Sequence, residues 1–261
     1  MSKIRLDQYL CQNGLVQSRE RAKALIMSGI VFVNEQKVDK AGEMIAPDAK
    51  VEVRGHDIGY VSRGGLKLEK AMQVFPMRPD GKVCMDIGAS TGGFTDCLLQ
   101  HGAARVFAVD VGHGQLDAAL QGDPRVISME GTNARLLTSE DFGGEHIDLA
   151  VSDLSFISQA LIYPAVFRTV SRGGAFISLI KPQFEAGREH LNKNGIVRDR
   201  RIHESVIETL FHTAEKAGLY PEALIPSPIA GGDGNREYLA LFRVGEKRLE
   251  TFCPIHRIVS D

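Results

Sequence analysis

Val83-Cys84-Met85-Asp86-Ile87-Gly88-Ala89-Ser90-Thr91-Gly92-Gly93-Phe94 passes within a few residues from apolar to acidic to glycine-rich. A short apolar run that ends near a carboxylate and meets glycines and small hydroxyl residues reads as a buried strand, a tight turn and the start of a helix. Gly88, Gly92 and Gly93 lack a Cβ, so the backbone there can bend sharply and admit a ligand to close range. A helix starting near Phe94 would point its unpaired N–H groups at that ligand. The spacing does not fit G-x-G-x-x-G, and no Lys-Ser or Lys-Thr follows as in a phosphate loop. Hydride and phosphoryl chemistry are therefore disfavoured.

A second apolar run, Arg105-Val106-Phe107-Ala108-Val109, ends at Asp110, where the first βαβ unit of a nucleotide-binding sheet places a ribose-binding acid. Asp86, glycines and then Asp110 resemble the pattern of S-adenosylmethionine-dependent methyltransferases with a Rossmann-like sheet. On these residues alone an equal reading has the glycines only turning the chain and Asp110 capping the next helix. The alternation continues downstream. Residues 125–130, 147–153 and 174–181 read as further strands, the last preceded by an apolar helix from Phe156 to about Val170. Strands separated by helices imply an α/β fold, with a mostly parallel sheet covered on both faces. Ligands gather at the C-terminal strand ends of such a sheet, so Asp86, Asp110, Glu130, Asp153 and Lys181 are expected along one edge.

The 261 residues, 43% hydrophobic and 25% charged, suit a soluble protein of one generous domain or a large and a small one. No apolar run is long enough to cross a bilayer and the N-terminus leads into no signal-peptide core, so a cytoplasmic location without a membrane partner is expected. Cys11, Cys84, Cys97 and Cys253 are scattered, with no C-x-x-C pair and no cysteine–histidine cluster, which indicates neither a disulfide framework nor a metal site. A net charge of −2 exerts no global pull on nucleic acid, so such binding must come from local patches.

Residues 1–58 read as a separate small module. Leu6, Tyr9 and Leu10 recur at helical spacing, Gly14 ends that helix, and Ser18 caps a second one on which Ala22, Leu25 and Ile26 share a face. Gly29 stops it. Val31-Phe32-Val33-Asn34, a turn at Glu35-Gln36 and Lys37-Val38 read as a hairpin, with Val51-Glu52-Val53 as one more strand. This order of elements resembles the S4 RNA-binding domain, carried by Arg5-Leu6-Asp7, Leu10, Ser18-Arg19, Ala22, Leu25-Ile26, Gly29 and Val31-Phe32-Val33-Asn34. The resemblance implies that Lys3, Arg5, Arg19, Arg21 and Lys23, with Arg63 beyond the linker, meet phosphates of a structured RNA, where shape counts more than base identity.

Residues 54–59 form a short glycine-flanked linker, about which the two parts are expected to rock. Residues 59–261 make up the second domain. Ser62 is expected to cap a helix carrying Leu66, Lys67, Leu68 and Ala71. The polar segment 182–203, with few apolar anchors, reads as a mobile lid or an RNA-contacting flap. A helix with Val206, Leu210, Ala214 and Ala217 in phase follows, and two closing strands place Glu237 at the rim of the turn 231–235.

Lys67, Asp153, Lys181 and Glu237 are thus expected at element ends facing one edge. A lysine beside a second cation and out of water holds its proton less firmly and can act as a base near neutral pH. In order and context these four match the K-D-K-E tetrad of FtsJ-like ribose 2′-O-methyltransferases. With Tyr60-Val61-Ser62-Arg63-Gly64-Gly65-Leu66-Lys67-Leu68, the glycine-rich cradle and Ser152-Asp153-Leu154-Ser155-Phe156, the chain resembles the TlyA family, which also carries the label hemolysin.

That resemblance implies methyl transfer from S-adenosyl-L-methionine to a ribose 2′-hydroxyl, of cytidine, in ribosomal RNA or ribosomal subunits. Lys181 is then the candidate base, with Lys67, Asp153 and Glu237 positioning and tuning it. Asp86, Gly88, Ala89, Ser90, Gly92, Gly93 and Phe94 would surround the methionine part of the cofactor. Asp110 would take the ribose hydroxyls, and Val111, Glu130 and Asn133 would lie near the adenine, with His113 a further neighbour or only a rim residue. Asp153-Leu154-Ser155-Phe156 lacks the prolines usual for amine methylation, and Cys84 and Cys97 read as packing and not as nucleophiles. Two other readings stay open at this point: an RNA-binding module without catalysis, and a cytolysin. The sequence is silent on oligomeric state.

Overall fold

The computed structural model describes residues 3–16, 19–27, 29–54, 59–231, 234–247 and 255–260. The expected cap Ser18 and the linker core 55–58 lie outside them. The first module runs β1 (Ile4–Arg5), α1 (Leu6–Gln12), α2 (Arg19–Met27), β2 (Val31–Val33), β3 (Gln36–Lys37), β4 (Met44–Ile45) and β5 (Val51–Val53). Leu6 and Leu10 of α1 meet Ala22, Leu25 and Ile26 of α2 at helical spacing, and Val31 closes the small core beneath them. The hairpin turn sits at Asn34 and Glu35, both left-handed at φ 49° and 67°, one residue earlier than the sequence suggests. A mirror-image turn of this kind matches the twist of the flanking strands, and Asn tolerates it best. Ile4 and Arg5 form a short antiparallel pair with Met44 and Ile45 instead of opening the helix.

The second part begins with α3 (Gly64–Val74) and continues β6 (Val83–Ile87), α4 (Gly93–Gln100), β7 (Arg105–Val109), α5 (Ala118–Gln121), β8 (Val126–Met129), β9 (Ile147–Ser152), α6 (Tyr163–Thr169), β10 (Val170–Ile180), α7 (Arg200–Lys216), β11 (Leu219–Pro226), β12 (Tyr238–Val244) and α8 (Ile255–Ser260). The seven-stranded sheet has the order β11-β12-β10-β9-β6-β7-β8. The run from β10 to β8 is parallel, and β12 runs antiparallel to both its neighbours. Period-two alternation splits each strand between two cores. Met85, Ile87, Phe107 and Val109 pack with α6 and α7, whereas Cys84, Val106 and Ala108 pack with α3 and α4. This is the mostly parallel, doubly covered sheet that the alternating strands and helices imply.

Three local expectations are corrected. Arg63, not Ser62, is the residue flanking α3, and no side chain caps that end. The long helix from Phe156 is a 3₁₀ turn at Gln159–Ile162 followed by the short α6, because Phe156 adopts a left-handed φ of 66° that cannot belong to a helix. The segment 182–203 is anchored. Val197 is 3% exposed, its N–H donates to Asn235 Oδ1 at 3.2 Å, and its carbonyl accepts from His203 Nε2 at 2.9 Å. With Nε2 donating, the neutral ring accepts a hydrogen bond from the Tyr238 hydroxyl at Nδ1, 2.9 Å away. Burial lowers the pKa of His203 and so favours this neutral form. α7 accordingly starts at Arg200, capped by Asp199. Near the C-terminus α8 packs against α7 and β11, with Val259 fully buried and its carbonyl accepting from Arg236.

Candidate active site

The cradle is a turn of alternating handedness. Gly88, Ser90 and Gly92 are left-handed, at φ 81°, 48° and 94°. The β6 end and the loop after β9 run so close that a Cβ on Gly88 would lie 2.8 Å from the Asp153 carbonyl oxygen. A Cβ on Gly93 would collide with Ser62 Oγ, which brings the segment before α3 against the start of α4. Asp86 is fully buried. Thr95 donates to its Oδ2 at 2.7 Å, its Oδ1 has no protein partner, and burial pushes its carboxyl up to about 7.

Asp110 ties the cradle down before it meets any ligand. Its two oxygens accept the N–H groups of Ser90 at 2.8 Å and Gly112 at 2.7 Å. Each oxygen keeps a second lone pair. Val111 beside it is 73% exposed, an apolar surface at the expected adenine position. Glu130 accepts from the Gly114 N–H at 2.9 Å, and Asn133 caps a 3₁₀ turn through the Arg135 N–H. Ala89 and Phe94 are buried and serve the core as well as the cavity wall. Left-handed glycines, acceptor lone pairs at Asp110 and the apolar Val111 fit a nucleoside carrying an amino-acid tail.

The four tetrad residues form two ion pairs. Lys67 Nζ donates to Glu237 Oε2 at 2.6 Å, and Lys181 Nζ lies 2.5 Å from Asp153 Oδ1. Lys67, Lys181 and Glu237 are all less than a tenth exposed. The strands explain the convergence. Ile180 pairs with Tyr238 in the β10–β12 ladder, so Lys181 and Glu237 occupy the next facing positions beyond the last pair. Ser152 pairs with Ser178 between β9 and β10, so Asp153 leaves β9 at the same edge. Asp153, Ser155, Lys181 and the cradle residues Gly88 and Ser90 line one cavity of about 190 Å³. An adjoining cavity, also of about 190 Å³, holds Arg63, Lys67 and, from α2, Met27.

The cations of the first module are less free than their charges suggest. Arg5 and Arg19 both bond the fully buried Asp7, at 2.9 Å and 3.2 Å. They hold its carboxyl down at about 2, against the burial that would raise it. Arg21 donates to the Tyr60 carbonyl at 3.3 Å, reaching across the linker. The linker's far end is fixed too: Asp96 accepts the Val61 N–H at 2.8 Å, and Gln100 donates to the Gly59 carbonyl at 2.8 Å. Lys3 and Lys23 are exposed.

Two residues beside the tetrad escape sequence reasoning. Ser155 accepts from Lys181 Nζ at 2.9 Å. Phe156 is 87% exposed, and its ring touches only Phe184 among the described rings, centroid to centroid 4.9 Å. An aromatic residue in an apolar-looking run reads as core; only the left-handed backbone turns it outward.

A buried strand ending in a glycine cradle, with acids and lysines on the same edge of a seven-stranded sheet whose last strand is antiparallel, defines a Rossmann-like methyltransferase. The FtsJ-like methyltransferase family model matches residues 60–244, and the S4 domain model matches residues 4–51. The chain belongs to the FtsJ-like methyltransferase family, among the TlyA-type proteins that carry an S4 domain. It is 48% identical to YqxC of Bacillus subtilis, named as an rRNA methyltransferase, over 91% of this chain and 84% of that one. It is 38% identical to the 16S/23S rRNA (cytidine-2′-O)-methyltransferase TlyA of Mycobacterium tuberculosis, over 99% and 98%. A solved structure of a hemolysin-type protein from Streptococcus thermophilus superposes with a TM-score of 0.79 at 44% identity, covering all of this chain and 95% of that one.

Proposed function

We propose that the chain transfers a methyl group from S-adenosyl-L-methionine to the 2′-hydroxyl of a cytidine in ribosomal RNA. The observation that carries this reading is the Asp153–Lys181 pair opening onto the same cavity as the glycine cradle. The cofactor supplies a methyl already activated on a sulfonium, so the chain's own work is alignment and removal of one proton. Lys181 takes the proton of the attacking hydroxyl. Asp153 holds Lys181 in place, and the buried Lys67–Glu237 pair fixes the neighbouring strand end and the start of α3. Asp86, Gly88, Ala89, Ser90, Gly92, Gly93 and Phe94 enclose the methionine part, Asp110 binds the ribose, and Val111, Glu130 and Asn133 flank the adenine.

Phe156 extends the target site. An exposed ring beside the base can stack on a nucleobase turned out of its helix, the usual way proteins hold a single RNA base. Residues 1–58 form the RNA-binding domain and 59–261 the catalytic one. Lys3, Arg5, Arg19, Arg21, Lys23 and Arg63 contact phosphates of a ribosomal subunit, which places the protein in the cytosol with its substrate. No helix among the described residues is long and apolar enough to cross a membrane, and this reading requires none.

The test is transfer of labelled methyl from S-adenosylmethionine to purified ribosomal subunits, with the modified nucleotide mapped by its resistance to alkaline cleavage. Incorporation at a cytidine ribose that disappears in Lys181→Ala is the expected result. Normal incorporation by that variant overturns the assignment of the base.

A further inference from the structure

The surroundings of Lys181 Nζ specify more than a base. That nitrogen has an ion-pair partner and, from one of its N–H groups, a hydrogen-bond acceptor. Asp153 Oδ1 lies 2.5 Å away and Ser155 Oγ 2.9 Å away. Ser155 Oγ accepts a hydrogen bond from Nζ, Asp153 holds it by charge without hydrogen-bond geometry, and all three residues line the same cavity as the cradle.

We propose that Ser155 is a positioning residue for methyl transfer, one that aims the lone pair of Lys181. The inference rests on the reading of Lys181 as base. In the neutral amine one N–H goes to Ser155, which fixes rotation about the Cε–Nζ bond, and with the Asp153 carboxylate packed against Nζ on another side the lone pair is directed toward the cavity where the ribose hydroxyl enters. As the ribose oxygen forms its bond to the methyl and the methyl–sulfur bond breaks, leaving a neutral thioether, the hydroxyl proton moves to Nζ and the new N–H lies along that same direction. The hydrogen bond to Ser155 and the contact with the Asp153 carboxylate persist through the step, so no reorganisation is needed. Without Ser155 the amine keeps only the non-directional attraction of the Asp153 carboxylate. It can then rotate about the Cε–Nζ bond and present an N–H where the lone pair is needed.

Ser155 is well placed to do this because its loop is clamped at one end to β6 and at the other to β9 and β10, the strands that carry the pair. At one end the Asp153 N–H donates to the Ile87 carbonyl at 3.1 Å. At the other, Gln159, 2% exposed, bridges β9 and β10. Its Oε1 accepts from Ser152 Oγ at 2.9 Å, and its Nε2 donates to the Leu179 carbonyl at 3.1 Å. The Gln159 N–H donates to Glu185 Oε1 at 2.8 Å, just past Lys181. The acceptor for Lys181 and the lysine itself therefore sit on one braced unit.

The experiment compares Ser155→Ala, Ser155→Thr and Lys181→Ala in the full-length protein. It measures kcat and KM for ribosomal subunits and cofactor, cofactor affinity by calorimetry, and thermal stability. Ser155 is exposed, so the alanine variant should fold with an unchanged melting temperature. The expected result is a fall of about tenfold to a hundredfold in kcat for Ser155→Ala, the scale of a misplaced reacting group. Both KM values and the cofactor affinity should stay put, and Ser155→Thr, which keeps the hydroxyl, should recover most of the rate. Wild-type kcat in Ser155→Ala, or a loss confined to KM or cofactor affinity, overturns the inference. If Lys181→Ala is inactive in that case, the base survives and only the aiming role of Ser155 falls. If Lys181→Ala is itself active, the reading beneath both is wrong.

Discussion

Lys67 Nζ and Glu237 Oε2 lie 2.6 Å apart although 170 positions of chain separate them, and only 10% and 2% of the two side chains reach solvent. At that burial neither charge tolerates being left alone. Removing one partner of such a pair costs about 3–5 kcal/mol, whereas replacing both by uncharged groups of similar volume is often close to neutral. Glu237→Ala should therefore lower stability in urea unfolding by about 3 kcal/mol. Lys67→Met combined with Glu237→Leu should recover most of that stability and none of the methyl transfer. Equal destabilisation of the single and double variants would show that the pair is not a unit.

Asp86 makes folding stability depend on pH in an unusual direction. Its carboxyl titrates at about 7 in the fold against 3.8 for the ordinary side chain. Between those values the folded chain holds a proton that the unfolded chain has lost. The stability so gained is full below the unfolded value and vanishes as pH rises through the folded one. Asp86→Asn fixes the neutral form and removes the dependence. Melting curves at about pH 5 and about pH 8 should show the wild type losing stability where the variant loses less. Parallel losses in both proteins would move the cause elsewhere.

Phe156 trades stability for an exposed ring. A left-handed backbone costs a bulky residue about 1–2 kcal/mol, and at 87% exposure little burial offsets it. Phe156→Gly should leave thermal stability unchanged or raise it, while methyl transfer to ribosomal subunits falls at least about tenfold, as loss of a base-stacking contact implies. Cofactor affinity, measured by calorimetry, should not move. A variant less stable than wild type and fully active would mean that the ring serves packing.

Much of this arrangement is legible in the sequence, and what is not has a physical reason. The cradle and the parallel strands declare themselves because apolar runs ending in acids and glycines are local patterns. The element ends put the tetrad residues at one edge and the resemblance groups them, but their pairing depends on which strand neighbours which. Nothing local says that Lys181 faces Asp153 and Lys67 faces Glu237. Ser155 and the left-handed Phe156 are hidden because backbone handedness at a non-glycine residue is imposed by the surrounding fold. The segment 182–203 looks polar and loose, yet His203 and Asn235 hold it through bonds to backbone groups, which composition does not reveal.

Asp7 separates two kinds of cation in the first module. Arg5 and Arg19 hold its carboxyl at about 2, so this depressed group contributes stability above the ordinary 3.8 and loses it as pH falls through 2. The guanidinium partners are roughly half exposed, at 44% and 49%, so the contribution is screened to about 1 kcal/mol. Arg5→Ala should then lower both the melting temperature and the affinity for ribosomal RNA. Lys23→Ala, on an exposed position of α2, should leave melting unchanged, weaken binding, and reduce the dependence of log affinity on log salt by about one phosphate contact. Filter binding across a salt series, paired with thermal melts, distinguishes the two. An unchanged salt slope in Lys23→Ala would remove that lysine from the RNA-contacting face.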